Sequence, residues 1–541
     1  MTTKPIPLTD HDLRQMSDEW VSALTSPQKN DLLVRALFEL RKSRDRLNQT
    51  SSNSSKPPSS RPAWEPAHGK SESDDPASMT PAVKPASPPA SASTDDDDDD
   101  TPAAGDKTTL PGSGTKSPSD KPKAKKAGKQ IGAPGFGRTQ KLVYTQVDAH
   151  YPDTCSGCGA GLSRDGTKAY TGWDEVDIAE KVADQVGLFL QVTRHRLHAC
   201  ACSCGHVTRA AHYAAPDDSL WNKVPLGQWR LIGPRLAGAI VFLAMRMRLS
   251  RACIREFFIE LFDLQLSTGV LDETIREAGR AVAPLEDEMV LDIEQAILLH
   301  VDETPWKEAG KSFWLWVFVA SFTTLFFICS RGLEILLNVL TGKFKGNLMS
   351  DGYQAYRHLE HRLRCWAHLT RKCQGLIDST DAKVAAAGKG MHDVLCTLMA
   401  AIYAARAAPD QENGVLASRY AADIAHLRTL CERHRDDIND KLRALAREFL
   451  LDWDVILRQV AEPHLPLTNN LAEQALRHWV IARRISMGTR SEAGSRAFAL
   501  LASVIETCRK RSTSSWVFIA SVIAAARKGL TIPSLPAIPG V

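Results

Sequence analysis

No G-x-x-x-x-G-K-[ST] loop occurs in the 541 residues, so the sequence implies no nucleotide cofactor. Net charge is almost missing too. Lys and Arg number 67 against 63 Asp and Glu, a balance of +4, so bulk charge announces no nucleic-acid partner and the local distribution has to be read instead. An apolar leader is absent: "MTTKPIPLTDHDLRQ" is polar, and the expectation is a cytoplasmic, nucleoid-associated bacterial protein. What is present is 43% hydrophobic residues, enough for large cores in several domains. The 12 cysteines are uneven, with five between Cys155 and Cys204, which in such a compartment suggests metal before disulfides.

One stretch has the length of a membrane span, "SFWLWVFVASFTTLFFICS" at 312–330. Its Trp, Phe, Val, Ile and Thr content and the interrupting "ASFTT" favour two buried strands joined by a tight turn, and no membrane partner is expected. Residues 28–49 read as one amphipathic helix. Leu33, Leu40 and Leu47 repeat every seven residues with Leu37 between them, which fits either a short coiled coil or a helix packed on its own protein. Residues 50–140 are low complexity, with an acidic run at Asp95–Asp100 and a basic stretch "KPKAKKAGKQ", and read as a disordered linker.

The segment 141–210 holds "CSGCG" at 155–159 and "HACACSCGH" at 198–206. Zinc takes four soft ligands in a tetrahedron, and Cys155 and Cys158 supply two of them. In the second cluster Cys202 and Cys204 are favoured, with Cys200 and His206 as alternatives. Residues 211–290 are helical in pattern. "LSRACIREFFIELFD" and "LSTGVLDETIREAGR" each start with a Ser cap, an order that suits a helix-turn-helix and equally a plain bundle.

The chemistry starts at "AILLHVD", 296–302, read as a buried central strand with Asp302 at its exit. "NLMSDGYQAY" gives a short strand ending in Asp351, with Gly352 allowing a turn, and "HRLRCWAHL" a further strand. Neighbouring strands would set the two acids side by side, where they repel unless a hard divalent cation, Mg²⁺ or Mn²⁺, intervenes. Phosphodiester cleavage and transfer by a pair of such ions needs a third acid. In "PLTNNLAEQALRHW" Glu473 has two readings. With Asn470 it has the form of a capping box, and with Arg477 it lies on one helix face toward a metal. Downstream, Arg477, Arg483, Arg484, Arg490 and Arg496 make a phosphate-seeking density.

The blocks "HVDETPW", "SDGYQAY", "RCWAHLTRK", "NNLAEQALR" and "GTRSEAGSRAFALLASVIETCRK", in this order, resemble the DDE transposases of bacterial insertion sequences, the insertion-sequence-sixty-six family of TnpC type. The resemblance runs from the cysteine module to about residue 530. It implies an RNase H-like mixed-sheet catalytic core, and related transposases carry an α-helical insertion; with the zinc-binding module and helix-turn-helix-like region read above, the expectation is a multidomain α/β protein. The triad it implies falls on Asp302, Asp351 and Glu473, which makes Glu473 a metal ligand. Cys365 and His368 match a C-x-x-H motif that follows the second acid in related transposases, and their role is open.

The expected layout is an N-terminal helix at 1–49, the linker at 50–140, the zinc-binding DNA-binding module at 141–210 and the helical DNA-binding region at 211–290. The catalytic core follows at 291–377, the helical insertion at 378–462, core completion and C-terminal helices at 463–530, and a tail at 531–541. The expected function is a metal-dependent DNA transposase that binds terminal inverted repeats, cleaves the element ends and joins 3′ ends to target DNA. Double-stranded DNA, further copies of the chain and accessory proteins of the same element are its expected partners. The rival readings are an idle DNA-binding regulator and a nuclease without strand joining.

Overall fold

The structure is a computed structural model that describes residues 8–49, 53, 140, 142–180, 186–210, 230–340, 342–407 and 415–540. They belong to one compact unit, Met1–Arg61 with Arg138–Val541; a second unit, Pro62–Gly137, lies outside the described residues, and so does nearly all of the expected linker. The chain opens with three helices, α1 (Asp10–Gln15), α2 (Asp18–Ala23) and α3 (Ser26–Leu47). The third is the helix expected at 28–49, started by Thr25 and Gln28 in a capping box with Pro27 in its first turn. Its Leu33, Leu37, Leu40 and Leu47 are exposed. The polar face does the packing: buried Asp45 accepts hydrogen bonds from the Ser379 hydroxyl (3.0 Å) and the Thr380 amide (3.3 Å).

The cysteine module is a small sheet of β1 (Gln146–His150), β2 (Lys168–Ile178), β3 (Leu190–Ala201), β4 (Val207–Arg209) and β5 (Arg230–Ile232). The order is β1-β3-β2-β5, with β4 on β3. Trp173, Leu197 and Ala210 make its own core, too small to carry a domain without a staple. Four helices follow, α4 (Pro234–Met245), α5 (Arg251–Phe262), α6 (Thr268–Ala281) and α7 (Leu285–Glu294). Ser250 and Ser267 cap α5 and α6, as their sequence positions predict.

The central sheet is built from β6 (Leu298–Glu308), β7 (Lys311–Val319), β8 (Thr324–Cys329), β9 (Asn347–Ser350) and β10 (Arg362–Arg364), in the order β10-β9-β6-β7-β8. The pairs β6/β7 and β7/β8 are antiparallel; β6/β9 and β9/β10 are parallel. The apolar run at 312–330 is therefore the β7–β8 hairpin, closed by Ala320 N–H to the Thr323 carbonyl at 2.9 Å. Among the described residues no helix is long and apolar enough to cross a membrane. Helix α8 (Leu333–Leu340) links β8 to β9. Strand β10 is shorter than "HRLRCWAHL" suggested, because Cys365 caps α9 (Trp366–Ile377) and the second half of that block is helix.

Five more helices, α10 (Ala382–Ala407), α11 (Leu416–Arg419), α12 (Ala421–Arg433), α13 (Asp440–Leu451) and α14 (Trp453–Ala461), form a second apolar core that also takes in α9 from Trp366 onward. The chain returns to the sheet with α15 (Asn470–Ser486), α16 (Glu492–Lys510) and α17 (Ser515–Arg527). Ser503 and Thr507 on α16 accept the Phe326 and Thr324 amides of edge strand β8 at 2.8 and 3.1 Å. An otherwise open edge is thereby satisfied and covered. Helices α4 to α7 share their core with the central sheet, α16 and α17. On α6 the outward acids each meet an arginine: Asp272 pairs with Arg276 and Arg251, and Glu273 with Arg280.

Candidate active site and cysteine cluster

Strand β6 pairs with β9 only at Leu298–Asn347, Leu299–Leu348 and His300–Met349. Asp302 and Asp351 each lie two residues past the last of these pairs, so the two-residue period of a strand turns both toward the same face. Asp302 is not at the exit of its strand, as the sequence suggested; β6 runs on to Glu308 along β7, and on its other side only Thr489 bridges it, at Glu308. That continuation is an edge, which is why Pro305 is tolerated in it. Gly352, just after Asp351, has no positive φ. A side chain there would run into the Arg364 guanidinium and the Glu448 carboxylate, so the residue is small for room rather than for a turn.

Glu473, in the first turn of α15, joins them. Asp302, Asp351, Glu473, Glu303, His368, Arg371, Arg477 and Arg484 all line one cavity of about 570 Å³. Burial pushes the Asp302 carboxyl well above the usual carboxylate range, and Glu303, Asp351 and Glu473 add to it. Burial pushes Glu473 upward as well, but His368 and Arg371 outweigh that and hold it below its ordinary value. Both reach its Oε1, at 3.3 Å each.

The capping reading of Glu473 is not what the helix does. Its N-cap is Asn469, and Asn470 is the first helical residue. The Asn469 side chain is occupied elsewhere: its Nδ2 donates to the Val301 carbonyl (2.8 Å) and its Oδ1 lies 3.1 Å from His300 Nδ1. Its backbone N–H donates to Cys365 Sγ at 3.2 Å. The C-x-x-H motif thus divides. Cys365 is a buried thiol, pushed up by burial, that ties β10 to the start of α15, while His368 faces Glu473. Sequence reading missed Asn469, Glu303 and Tyr356. Glu303 is a buried acid whose carboxylate accepts the Tyr356 hydroxyl at 2.6 Å. Its position directly after Asp302 is the only signal in the sequence, and strict strand alternation would turn it to the opposite face.

The arginine-rich stretch is sorted by its contacts. Arg477 and Arg484 reach the cavity. Arg483 donates to Thr304 Oγ1 (3.0 Å) and to the Pro305 carbonyl, Arg496 pairs with Glu286, and Arg490 is exposed. The "GTR" segment closes on β6: Trp306 Nε1 donates to Thr489 Oγ1 at 3.1 Å. Gly488, at φ +92°, backs onto the Lys307 carbonyl where no side chain fits.

Away from this cavity, Cys155, Cys158, Cys202 and Cys204 converge, with all four sulfurs within 4.8 Å of one another. Among the described residues no other set of His, Cys, Asp and Glu is as tight. The first pair lies between β1 and β2 and the second between β3 and β4, each turn closing on a glycine at positive φ, Gly159 (+74°) and Gly205 (+84°). Cys200 lies buried on β3 outside the group. His206 is outside it as well, its Nε2 2.8 Å from the Ser156 hydroxyl.

The sequence model of the transposase IS66 family matches residues 230–497, about half of the chain. The chain belongs to that family. The match takes in both core acids, the helical lobe and Glu473, and leaves β1 to β4, most of α16 and all of α17 outside. Two curated relatives from Sinorhizobium fredii are similar to this IS66-family chain. Uncharacterized protein y4qI is 24% identical over 294 residues, 50% of the chain and 52% of the relative. Uncharacterized protein y4jO is 28% identical over 172 residues, 32% of the chain and 50% of the relative. The chain thus spans about half the length of the curated relatives it matches.

DDE transposases generally use divalent metal, and this member's donors fit one. Three carboxylates and the neighbouring Glu303 line one cavity, an oxygen-donor set of the kind a hard divalent cation takes, and Asp302 is raised by burial first and by the other acids second. The cysteine cluster fits a metal more tightly. Cys155 and Cys204 sulfurs are 3.7 Å apart and Cys158 and Cys202 sulfurs 3.6 Å, near the ~3.8 Å that follows for tetrahedral ligands at ~2.3 Å from a zinc ion.

Proposed function

We propose that the chain is a DNA transposase that binds the terminal inverted repeats of an insertion sequence, cleaves at the element ends and joins the 3′ ends to target DNA. The observation that carries this reading is that Asp302 and Asp351, each two residues past the last pair of the parallel β6–β9 ladder, line one cavity that Glu473 enters from α15. The sheet order β10-β9-β6-β7-β8, with only β7 antiparallel to its sheet neighbours, supports an RNase H-like core interrupted by α10 to α14 before the third acid.

In this reading Asp302, Asp351 and Glu473 hold Mg²⁺ or Mn²⁺. When bound, such ions polarise the phosphodiester and activate the attacking water or 3′ hydroxyl. The rest falls to the protein. The two aspartates, placed by the end of the β6–β9 ladder, would hold the ions against one wall of the cavity. Glu473 exchanges His368 and Arg371 for its place among the other acids. Arg477 and Arg484 offset phosphate charge on the α15 wall, with Arg490 on the outer surface beyond. Arg483 and Arg496, tied to β6 and α7, hold that wall in place. Cys155, Cys158, Cys202 and Cys204 hold a structural zinc, and the module they brace, together with α4 to α6, contacts the element ends. Such a reaction involves further copies of the chain and accessory proteins of the element.

The test is a strand-joining assay with DNA carrying the inverted repeats that flank the coding region. Cleavage and joining in Mg²⁺ are expected. Specific binding without cleavage would leave a DNA-binding regulator, and cleavage without joining a nuclease.

A further inference from the structure

One wall of the cavity carries a guanidinium held in an unusual way. Arg331, between β8 and α8, lines the same cavity as Asp302 and Asp351. Its guanidinium carbon lies 4.1 Å from the centroid of the Trp314 ring and 4.1 Å from that of Tyr353. Its Nε and Nη2 both donate to Glu303 Oε1, at 3.1 and 2.7 Å. The other Glu303 oxygen takes the Tyr356 hydroxyl, and the Tyr353 hydroxyl donates to the Arg331 carbonyl at 3.3 Å. Four side chains from β6, β7 and the segment after β9 therefore fix one arginine.

An arginine normally gives up much of its rotamer freedom on binding an anion; here that ordering is already done. Compensating the buried charge of Glu303 needs one cation. It does not need two aromatic rings to hold the guanidinium plane. A guanidinium has five N–H donors, and Nη1 has no hydrogen-bond partner among the described residues. The side chain is 36% exposed, so this edge is accessible from the cavity. Arg477 and Arg484 stand on the α15 wall of the same cavity, so a polyanion entering it meets positive charge from the sheet and from α15.

We infer that Arg331 is a preorganised phosphate-binding residue that grips the backbone of the nucleic-acid strand lying in the cavity. This rests on the reading of the cavity as the DNA-processing centre. The ligand class is a phosphodiester chain, bound through the Nη1 edge, with Glu303, Trp314 and Tyr353 as its positioning residues.

The experiment uses the full chain and a dye-labelled eight-nucleotide single strand of mixed sequence, without divalent metal, read by fluorescence anisotropy over a salt series. Arg331→Ala should weaken binding about tenfold. It should also reduce the slope of log affinity against log salt by about 0.7, the value for one lost phosphate contact on a single strand. A purely structural role would not move that slope. Arg331→Lys should keep most of the slope but recover less than half of the lost affinity on a logarithmic scale, since it has the charge without the planar fork. If Arg331→Ala melts early, Arg331→Gln takes its place. Affinity within twofold of wild type with an unchanged slope would overturn the inference. Plasmid nicking by the wild type in Mn²⁺ reads the underlying assignment separately: its absence would count against the cavity as a processing centre, while the binding slope would still report on Arg331.

Discussion

The Asn469 side-chain amide donates to the carbonyl of Val301 across 2.8 Å of buried space, and this bond ties the start of α15, one turn before Glu473, to β6 next to Asp302. Val301 precedes Asp302 on β6, and Asn469 lies one turn before Glu473. Replacing Asn469 with Ala removes this bond and the one to His300, leaving buried groups unpaired. The expected cost is about 1–3 kcal/mol of stability. Turnover of DNA should fall by tenfold or more with DNA affinity nearly unchanged. Thermal melting with a split of rate against affinity checks it; unchanged turnover would remove Asn469 from any positioning role.

Asp302→Asn, Asp351→Asn and Glu473→Gln should each abolish cleavage and joining while specific DNA binding survives. Each swap is close to isosteric and removes one charge facing the metal. Glu473→Gln is the sharpest of the three, because a Glu473 that served only to pair with His368 and Arg371 would lose little by it and activity would persist. Joining at near wild-type rate by that variant would remove Glu473 from the triad.

The cysteine cluster should bind about one zinc per chain. Metal analysis of the purified protein reads it directly. Cys155→Ser combined with Cys158→Ser should lose the zinc, whereas Cys200→Ser should keep it. Zinc retained by the double variant would refute the assignment.

Glu175 on β2 is pushed up to about 7, by burial first and by Asp177 second. The folded state therefore holds a proton that the unfolded chain releases near pH 4.5, and stability falls as pH rises from there to about 7. Glu175→Gln should flatten that part of the profile and stabilise the protein at pH 8 by up to about 3 kcal/mol. Denaturant unfolding of both proteins at pH 5 and pH 8 measures the difference. Equal stability differences at the two values would show that Glu175 is not the source.

Asp452 is fully buried and meets three arginines: Arg362 at 2.5 Å, Arg364 at 3.0 Å and Arg357 at 3.7 Å. It joins β10 to the helical lobe between α13 and α14. Asp452→Ala should cost about 3–5 kcal/mol, because buried guanidinium groups are left uncompensated. A loss below 1 kcal/mol in chemical denaturation would mean that Glu448 alone suffices for Arg364.

Much of this was legible in the sequence because local rules carried it. Ser250 and Ser267 before apolar periodic runs fixed two helix starts, and β-branched and aromatic content fixed the β7–β8 hairpin in place of a membrane span. The paired C-x-x-C and C-x-C spacings brought out the four thiols that converge. The meeting of Asp302 and Asp351 in one cavity, the occupation of Asn469 by β6 rather than by its own helix, and the pairing of Glu473 with His368 and Arg371 were decided only by tertiary structure. Each depends on a partner more than 40 residues away, and a hydrogen-bonding side chain chooses its partner by proximity in space. A sequence can state that Asn470 and Glu473 are three residues apart; it cannot state that a strand 168 residues earlier will reach the cap first.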